Sequence, residues 1–376
     1  YDYYLEFFIE NLDNVKRILE EVSMRKLPKD WKNIVLPVCE KCGKIATTRV
    51  VSVDVKEGIR YKCDRDVGYT KGCGHEGVVS IESHRWKLMW RLDWPSRQDF
   101  LGVDCEGGGV DHFTQGGSWD TAVAIHTKLF KKEPPIGYKY GFILIGGRKM
   151  SKSKGLGAVE EIVELLPPEV IKYFIFKHEI EENKDFRIEP GFLLRLYEEF
   201  QNVADLYESL GLNVDRAYWK KVYAYKLSTN GVRKWKSSFS DILVYYQIYR
   251  DWDIVCKKLD DCEGVKYLSK YIEKWIEKGF IPETYRVEYN PQKPPKHVEA
   301  VKDFIERLKP SMRDIDIHNL VYEVAKSHNI NHRELFKSIY YALLGKDCGP
   351  RVGRLIVALG IDRVKNDLLK ILESSP

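Results

Sequence analysis

No apolar run in this chain of 376 residues reaches the length of a membrane-crossing helix. No charged, apolar and small-residue sequence of a secretory leader stands at its start. Internal repeats and low-complexity tracts are also missing, which sets aside solenoid and disordered architectures. No G-x-x-x-x-G-K-[ST] loop occurs, so a Walker-type phosphate cradle is excluded. Charge of one sign is only slightly in excess, at +5, which permits a nucleic-acid partner without requiring one. The chain opens on Tyr1 rather than methionine, and it is read as a fragment or processed form.

What is present is globular. The sequence is 44% hydrophobic and 31% charged, with 9 Trp and 23 Tyr to build large cores, and its length suits two or three domains. Apolar residues from Leu5 to Leu19 recur at helical spacing over residues 1–26. Residues 34–82 are rich in β-branched types, and a hairpin is expected from "ATTRVVSVDV" and "IRYKC". Between 86 and 150, short apolar runs alternate with glycine joints. "SWDTAVAIHTKLF" reads as a helix with Ser118 at its N-cap, and "PPIGYKYGFILIGG" as a buried strand ending in glycines. This is the pattern of an open α/β sheet. From residue 158 onward the pattern is helical. Pro168 suits a first turn, Leu193, Leu196, Phe200, Val203, Tyr207 and Leu210 form one seam, and Gly211 suits a cap. "NPQKPPKH" (290–297) is the clearest linker.

Eight cysteines divide into four scattered ones and a cluster, Cys39, Cys42, Cys63 and Cys73, with His75 beside the last. A C-x-x-C knuckle without a secretory leader favours zinc over disulfides and implies a cytoplasmic location. Tetrahedral zinc takes four sulfur or imidazole ligands. Five residues compete for those places, with Cys39 and Cys42 as one pair and two of Cys63, Cys73 and His75 as the other. A closed site of this kind is structural.

"GGRKMSKSKGLG" (146–157) gathers Arg148, Lys149, Lys152 and Lys154 among serines and glycines. Lysine suits phosphate as a point charge, and serine hydroxyls and glycine N–H groups add hydrogen bonds. Most lysine-rich turns are solvated faces, but Lys149-Met150-Ser151-Lys152-Ser153 reads K-M-S-K-S. It follows α/β sequence and an apolar strand, and it precedes a helical half. In this it resembles the second signature of class I aminoacyl-tRNA synthetases. Residues 86–121 are similar to the class I lysyl-tRNA synthetase segment W-R-V-D-W-P, F-G-V-D-F-E, G-x-D-H and S-x-D-T. They match it at Trp90, Arg91, Asp93, Trp94 and Pro95, then Gly102, Val103, Asp104 and Glu106. Gly109, Asp111 and His112 follow, then Ser118, Asp120 and Thr121. "GKDCGPRVGRLIVALGIDRV" resembles that family's closing helices, so the likeness spans the chain.

The resemblance implies a fold that is α/β plus all-α. It expects part of a class I Rossmann catalytic domain with a zinc-ribbon-like insertion, then a helical stem and an α-helix-cage anticodon-binding domain. Its expected borders are a helical connective segment at 1–33, the zinc insertion at 34–85, the catalytic half at 86–157, a stem-contact region at 158–230 and the anticodon domain at 231–376. It implies lysine activation with ATP and Mg²⁺, then transfer to the 3′ adenosine of lysine tRNA. Lys149 and Lys152 would act on the triphosphate, with Met150, Ser151 and Ser153 completing the loop. Gly109 and Asp111 would meet the adenosine ribose, and Trp90, His112 and Tyr140 the substrate lysine. Alignment of "YKC" and "GHEG" favours Cys63 and His75 as the second zinc pair, and an insertion between them keeps Cys73 as the alternative. "RKWK" (233–236) and "CGPRVGR" (348–354) are basic candidates for RNA contact.

The family's first signature is absent. None of the nine histidines stands in an H-x-G-[HN] context. The expectation is therefore an enzyme inactive without an N-terminal part. The alternatives are a non-catalytic tRNA-binding paralogue and a glutamyl-type class I synthetase.

Overall fold

The computed structural model describes residues 1–149 and 159–373, apart from the Lys149 side chain. They form two compact units. One comprises Tyr1–Phe142 with Ile180–Asn183, and the other Ile143–Glu179 with Lys184 onward. The division falls upstream of the border drawn at 157.

The first unit begins with two helices, α1 (Asp2–Glu10) and α2 (Leu12–Ser23), where one was expected. Asn11 breaks them: its amide Nδ2 donates to the Phe7 carbonyl at 2.9 Å, an alternative to helical pairing open to short polar side chains. Leu5, Phe8, Val15 and Ile18 pack with β1 (Val35–Pro37) and its antiparallel partner further on, Trp86–Leu88. Between those strands runs an antiparallel meander of β2 (Arg49–Asp54), β3 (Gly58–Lys62) and β4 (Glu76–Val79). The expected hairpin is its first two strands. The Asp54 carboxylate accepts from the N–H groups of Lys56 and Glu57 and shapes the turn. Gly58, at φ 82°, is required there, since a Cβ would lie 2.6 Å from the Val79 carbonyl.

After β5 (Trp86–Leu88) comes α3 (Trp90–Leu101), which carries Pro95 inside it. Next, β6 (Cys105–Gly109) pairs in parallel with β7 (Ile136–Tyr140), with Gly109 opposite Tyr140. The crossover between them is α4 (Ser118–Ala124), continued as a π-helical turn over Ile125–Phe130. Its N-cap is Gly117, not Ser118, and the Asp120 carboxylate holds the Gly116 N–H at 2.8 Å. The strand expected over 134–147 is two strands in separate units, and β7 is exposed along its length. The break is Gly141, whose N–H bonds the Ile180 carbonyl. A Cβ there would lie 2.3 Å from the Glu182 carbonyl.

The second unit opens with β8 (Ile143–Ile145), which pairs antiparallel with β9 (Arg148–Lys149) and parallel with β10 (Lys184–Phe186). Gly146 and Gly147 form the β8–β9 turn, both at positive φ (55° and 77°), as a two-residue hairpin demands. Asp185 Oδ1 accepts from the Gly147 N–H at 2.7 Å and pins it.

Helices α5 (Val159–Leu165), α6 (Pro168–Phe176), α7 (Pro190–Leu210), α8 (Arg216–Thr229), α9 (Phe239–Tyr249), α10 (Trp252–Leu259) and α11 (Cys262–Glu277) build one core. Pro168 takes the first helical position and Gly211 ends α7 as expected. Leu193, Leu196, Phe200 and Val203 bury the α7 seam. A second core gathers α12 (Val298–Arg307), α13 (Asp314–Ser327), α14 (His332–Leu344), α15 (Val352–Leu359) and α16 (Ile361–Glu373). The two cores meet inside α9, where Leu243 belongs to one and Val244 to the other. The proline-rich stretch at 290–297 is irregular. It is tied to α14 at both ends, through Asn290 N–H to the Leu343 carbonyl and His297 N–H to Ser338 Oγ.

Candidate functional site

The glycine run of β6 and the aromatic residues around it form one site in the first unit. Side chains occupy the space that Cβ atoms would take. A Cβ at Gly107 would lie 2.5 Å from the Tyr138 ring, at Gly108 2.7 Å from Phe113, and at Gly109 2.7 Å from Asp111 Oδ1. Tyr140 is the residue opposite Gly109 on β7, and its ring edge comes 4.0 Å from the same Cβ position. Asp111 and Tyr140 are thus held together at the carboxyl ends of two parallel strands, where open α/β sheets bind ligands.

Trp90 opens α3 and stacks on Trp94 with ring centroids 5.3 Å apart. His112 lies 5.7 Å from Trp90 and 5.5 Å from Trp94. Trp94 also meets Trp119 edge-on, and Trp119 stacks on Phe113 at 4.8 Å. Trp90 is 42% exposed and Tyr140 47%, so two aromatic faces remain open to a ligand. Trp90 also lines a cavity of about 480 Å³ with Leu19, Trp31 and Met89.

The support beneath this cluster is polar. Glu106 Oε2 accepts from Trp94 Nε1 at 2.9 Å and from Gln98 Nε2 at 2.7 Å. Gln98 in turn meets His126 Nε2 at 3.1 Å, inside the π-helical turn. Burial lowers the His126 pKa and favours the neutral ring, only partly offset by the charge of Asp99. Arg91 donates to Thr121 Oγ1 and the Gly116 carbonyl, which fixes the turn into α4. Asp93 is 2% exposed and paired with Arg97 at 2.9 Å, so its place in the motif is structural. Sequence reasoning assigned no role to Trp94, Gln98, Glu106 or Trp119. For Trp94 and Glu106 the signal was the local motif, which names them but not what they touch, and Gln98 and Trp119 carried none.

The cysteine cluster is a second site in the same unit. The sulfurs of Cys39, Cys42, Cys63 and Cys73 lie within 4.8 Å of one another. Cys39 to Cys73 and Cys42 to Cys63 are both 3.7 Å. Four sulfurs around zinc at the usual ~2.3 Å bond length stand about 3.8 Å apart, so the donor set fits tetrahedral Zn²⁺. Of the five candidates, the four cysteine sulfurs come together, while His75 has its Nε2 4.0 Å from Glu40 Oε2 and its ring against Tyr61. The cause is the inserted loop. Gly72 passes so close to Cys63 that a Cβ would lie 2.2 Å from its carbonyl, which carries Cys73 inward. Burial pushes the Cys39 thiol pKa up, but N–H groups of Cys42 and Lys41 and the neighbouring thiols outweigh it and bring it down to about 6. A thiolate-favouring turn of this kind is what a cation needs.

Lys149 ends β9, one residue beyond Arg148. Met150, Ser151, Lys152 and Ser153 lie outside the described residues. Of the two basic candidates for RNA contact, "RKWK" has two of its cations in ion pairs, while Lys234 and Lys236 are exposed. Arg233 pairs with Asp205 and Glu208, Lys234 pairs with Glu169, and Trp235 is buried. In "CGPRVGR", Arg354 pairs with Asp241 and Asp314, whereas Arg351 is exposed. Among the described residues no helix is long and apolar enough to cross a membrane.

A family model described as tRNA synthetases class I (K) matches residues 1–229. A lysine–tRNA ligase of Archaeoglobus fulgidus is 33% identical over 366 residues, covering 95% of this chain and 70% of that protein. Another, of Thermoplasma acidophilum, is 29% identical over 382 residues, covering 97% and 72%. Among solved structures, a glutamate tRNA ligase from Elizabethkingia meningosepticum matches at 13% identity and a TM-score of 0.32. It covers 84% of this chain and 68% of that one, a likeness too slight to argue from. The residues of the β6–β7 site and these matches together make the chain a member of the class I lysyl-tRNA synthetase family.

Proposed function

We propose that the chain serves lysine–tRNA ligation, with the amino acid and the adenosine held at the carboxyl ends of β6 and β7. The observation that carries the reading is the gathering of Trp90, His112, Tyr140 and Asp111 around Gly109 and Trp94 within one unit. An exposed tryptophan face attracts an ammonium by cation–π interaction, which suits the lysine side chain. Gly109 lets backbone approach the ribose, and the Asp111 carboxylate accepts from ribose hydroxyls. Glu106 holds Trp94, and so the floor of the lysine site, in one orientation.

In the reaction the lysine carboxylate attacks the α-phosphorus of ATP, pyrophosphate leaves, and the terminal adenosine hydroxyl of lysine tRNA then displaces AMP. Magnesium travels with the ATP and screens its phosphates. Lys149 and Lys152 are assigned to the triphosphate, where cations stabilise charge spreading over oxygens in the transition state. Lys152 is the stronger catalytic candidate, and Ser151 and Ser153 add hydrogen bonds. No H-x-G-[HN] motif occurs in these 376 residues, so the chain by itself is expected to exchange pyrophosphate poorly. The four cysteines would hold a structural Zn²⁺ that fixes the meander. The helical unit is assigned to the stem and anticodon of the tRNA.

The test is lysine-dependent ATP–pyrophosphate exchange by the full-length gene product. Trp90→Ala should raise KM for lysine by about ten-fold or more with little change for ATP, the scale of a desolvated cation–π contact. Lys152→Ala should lower kcat instead. Trp90→Ala raising both constants alike would remove Trp90 from lysine recognition.

A further inference from the structure

Two adjacent threonines lie just ahead of β2, and both are wholly buried. Thr48 Oγ1 donates to the Pro37 carbonyl at 2.7 Å, which ties it to β1 just ahead of the Cys39 knuckle. Thr47 meets the other knuckle. Its Oγ1 stands 3.2 Å from Cys63 Sγ, and its carbonyl accepts from the Arg65 N–H at 3.1 Å. The Cys63 segment is thus held at the sulfur and again two residues on. Among the described residues the Thr47 hydroxyl has no other hydrogen-bond partner.

Charge decides what that contact does. Four thiolates around one divalent cation leave two negative charges uncompensated. Cys39 and Cys63 are 0% exposed, so solvent does not answer the charge at those two sulfurs. A buried charge without donors is costly, and here the donors must come from the protein. For Cys63 they are the Cys73 N–H, at 3.5 Å, and the Thr47 hydroxyl. A metal-bound thiolate has no proton to give, so the hydroxyl, with one O–H, is the donor. The need runs both ways. A buried hydroxyl costs free energy unless an acceptor takes its proton, and the sulfur is the acceptor in reach.

We propose that Thr47 is a positioning residue of the metal centre: its hydroxyl donates to the Cys63 thiolate, holds that sulfur in place among the four and draws charge from it. This rests on the reading of the four cysteines as a Zn²⁺ site and deepens it, by naming a group beyond the ligands that sets how tightly the ion is retained. Thr48 has the same side chain and the same burial, but its hydroxyl meets backbone carbonyls alone, those of Pro37 and Ile45. The neighbouring pair therefore separates a hydroxyl that serves the metal from one that serves the fold.

Two measurements on the full-length protein test it: the rate of zinc transfer to a coloured chelator, and the absorption spectrum after Co²⁺ replaces zinc. Thr47→Val keeps the side-chain shape and removes the hydroxyl. It should release zinc about ten-fold faster or more. It should also move the thiolate-to-cobalt charge-transfer band to longer wavelength, because a sulfur without its hydrogen bond gives up an electron more easily. Thr47→Ser should match the parent in both. Thr48→Val should lower the melting temperature and leave the cobalt band where it is. Thr47→Ala removes the same hydroxyl and takes the place of the valine variant if that one does not fold. A release rate and a cobalt band both unchanged by loss of the Thr47 hydroxyl overturn the proposal, as does a serine variant that behaves like the valine one. Failure of the zinc reading would look different: the unsubstituted protein would hold neither ion in stoichiometric amount.

Discussion

Replacing Cys73 with serine should cost the protein its metal, while replacing His75 with alanine should not. The two residues are two positions apart, and the sequence allows either as fourth ligand. The distances separate them. Cys73 Sγ stands 3.7 Å from Cys39 Sγ, within about 0.1 Å of the edge of a zinc–thiolate tetrahedron. His75 instead lies beside Glu40 and Tyr61. Structural zinc contributes on the order of 10–16 kcal/mol of apparent binding energy in small sites. Losing one of four thiolates therefore weakens retention by orders of magnitude, and beside the cysteines the meander buries only Tyr61 and Val79, its Val50 and Ile59 packing instead into the core of α1 and α2. The assay is metal content by mass spectrometry after gel filtration against a mild chelator, paired with thermal melting. Cys73→Ser should retain well under one zinc per chain and melt earlier, and His75→Ala should retain one and melt as the parent does. Zinc lost from His75→Ala and kept by Cys73→Ser would refute the four-sulfur site.

Two further outcomes follow from packing and charge. Gly137→Ala places a methyl 2.1 Å from the Trp119 ring, so the ring must move. A loss of about 1–3 kcal/mol, with a changed near-UV circular dichroism signal, is expected from urea unfolding. Acid should loosen the helical unit. Burial raises the Glu169 and Glu199 pKa values, but the ammonium groups of Lys234 and Lys177 outweigh it and hold both carboxyls below 4.5. Their contribution is therefore present above pH 4.5 and is lost as pH falls through the lowered values. Melting temperature against pH should fall on that acid limb in the parent and fall less in Glu199→Gln. An equal acid limb in both would remove Glu199 as a cause.

The parts of the molecule that depend on spacing were legible in the sequence. The C-x-x-C knuckle, the hairpin at 49–62, Pro168 and the α7 seam are local patterns, and each fixes its own structure. What depends on a partner far along the chain was hidden. Pro95 obscures α3, although tertiary contacts of its buried residues Leu92, Trp94 and Gln98 hold it helical. The apolar look of residues 136–145 suggests one buried strand, but Gly141 bends where Glu182 approaches, 41 residues later. The basic look of "RKWK" cannot reveal that Asp205, Glu208 and Glu169 wait for its charges. Candidate ligand residues were visible as types, the sequence motif aligned Trp90, Asp111 and His112, and the family resemblance added Tyr140. Which groups support them was not visible, because Glu106 holds Trp94 through one hydrogen bond that no spacing encodes.

The most direct measurement is charging of purified lysine tRNA and glutamate tRNA by the full-length gene product with radiolabelled lysine and glutamate. The account predicts lysyl-tRNA from lysine alone, dependent on ATP, and reduced in Trp90→Ala through KM for lysine. Formation of glutamyl-tRNA, or tRNA binding without charging of either, would contradict it.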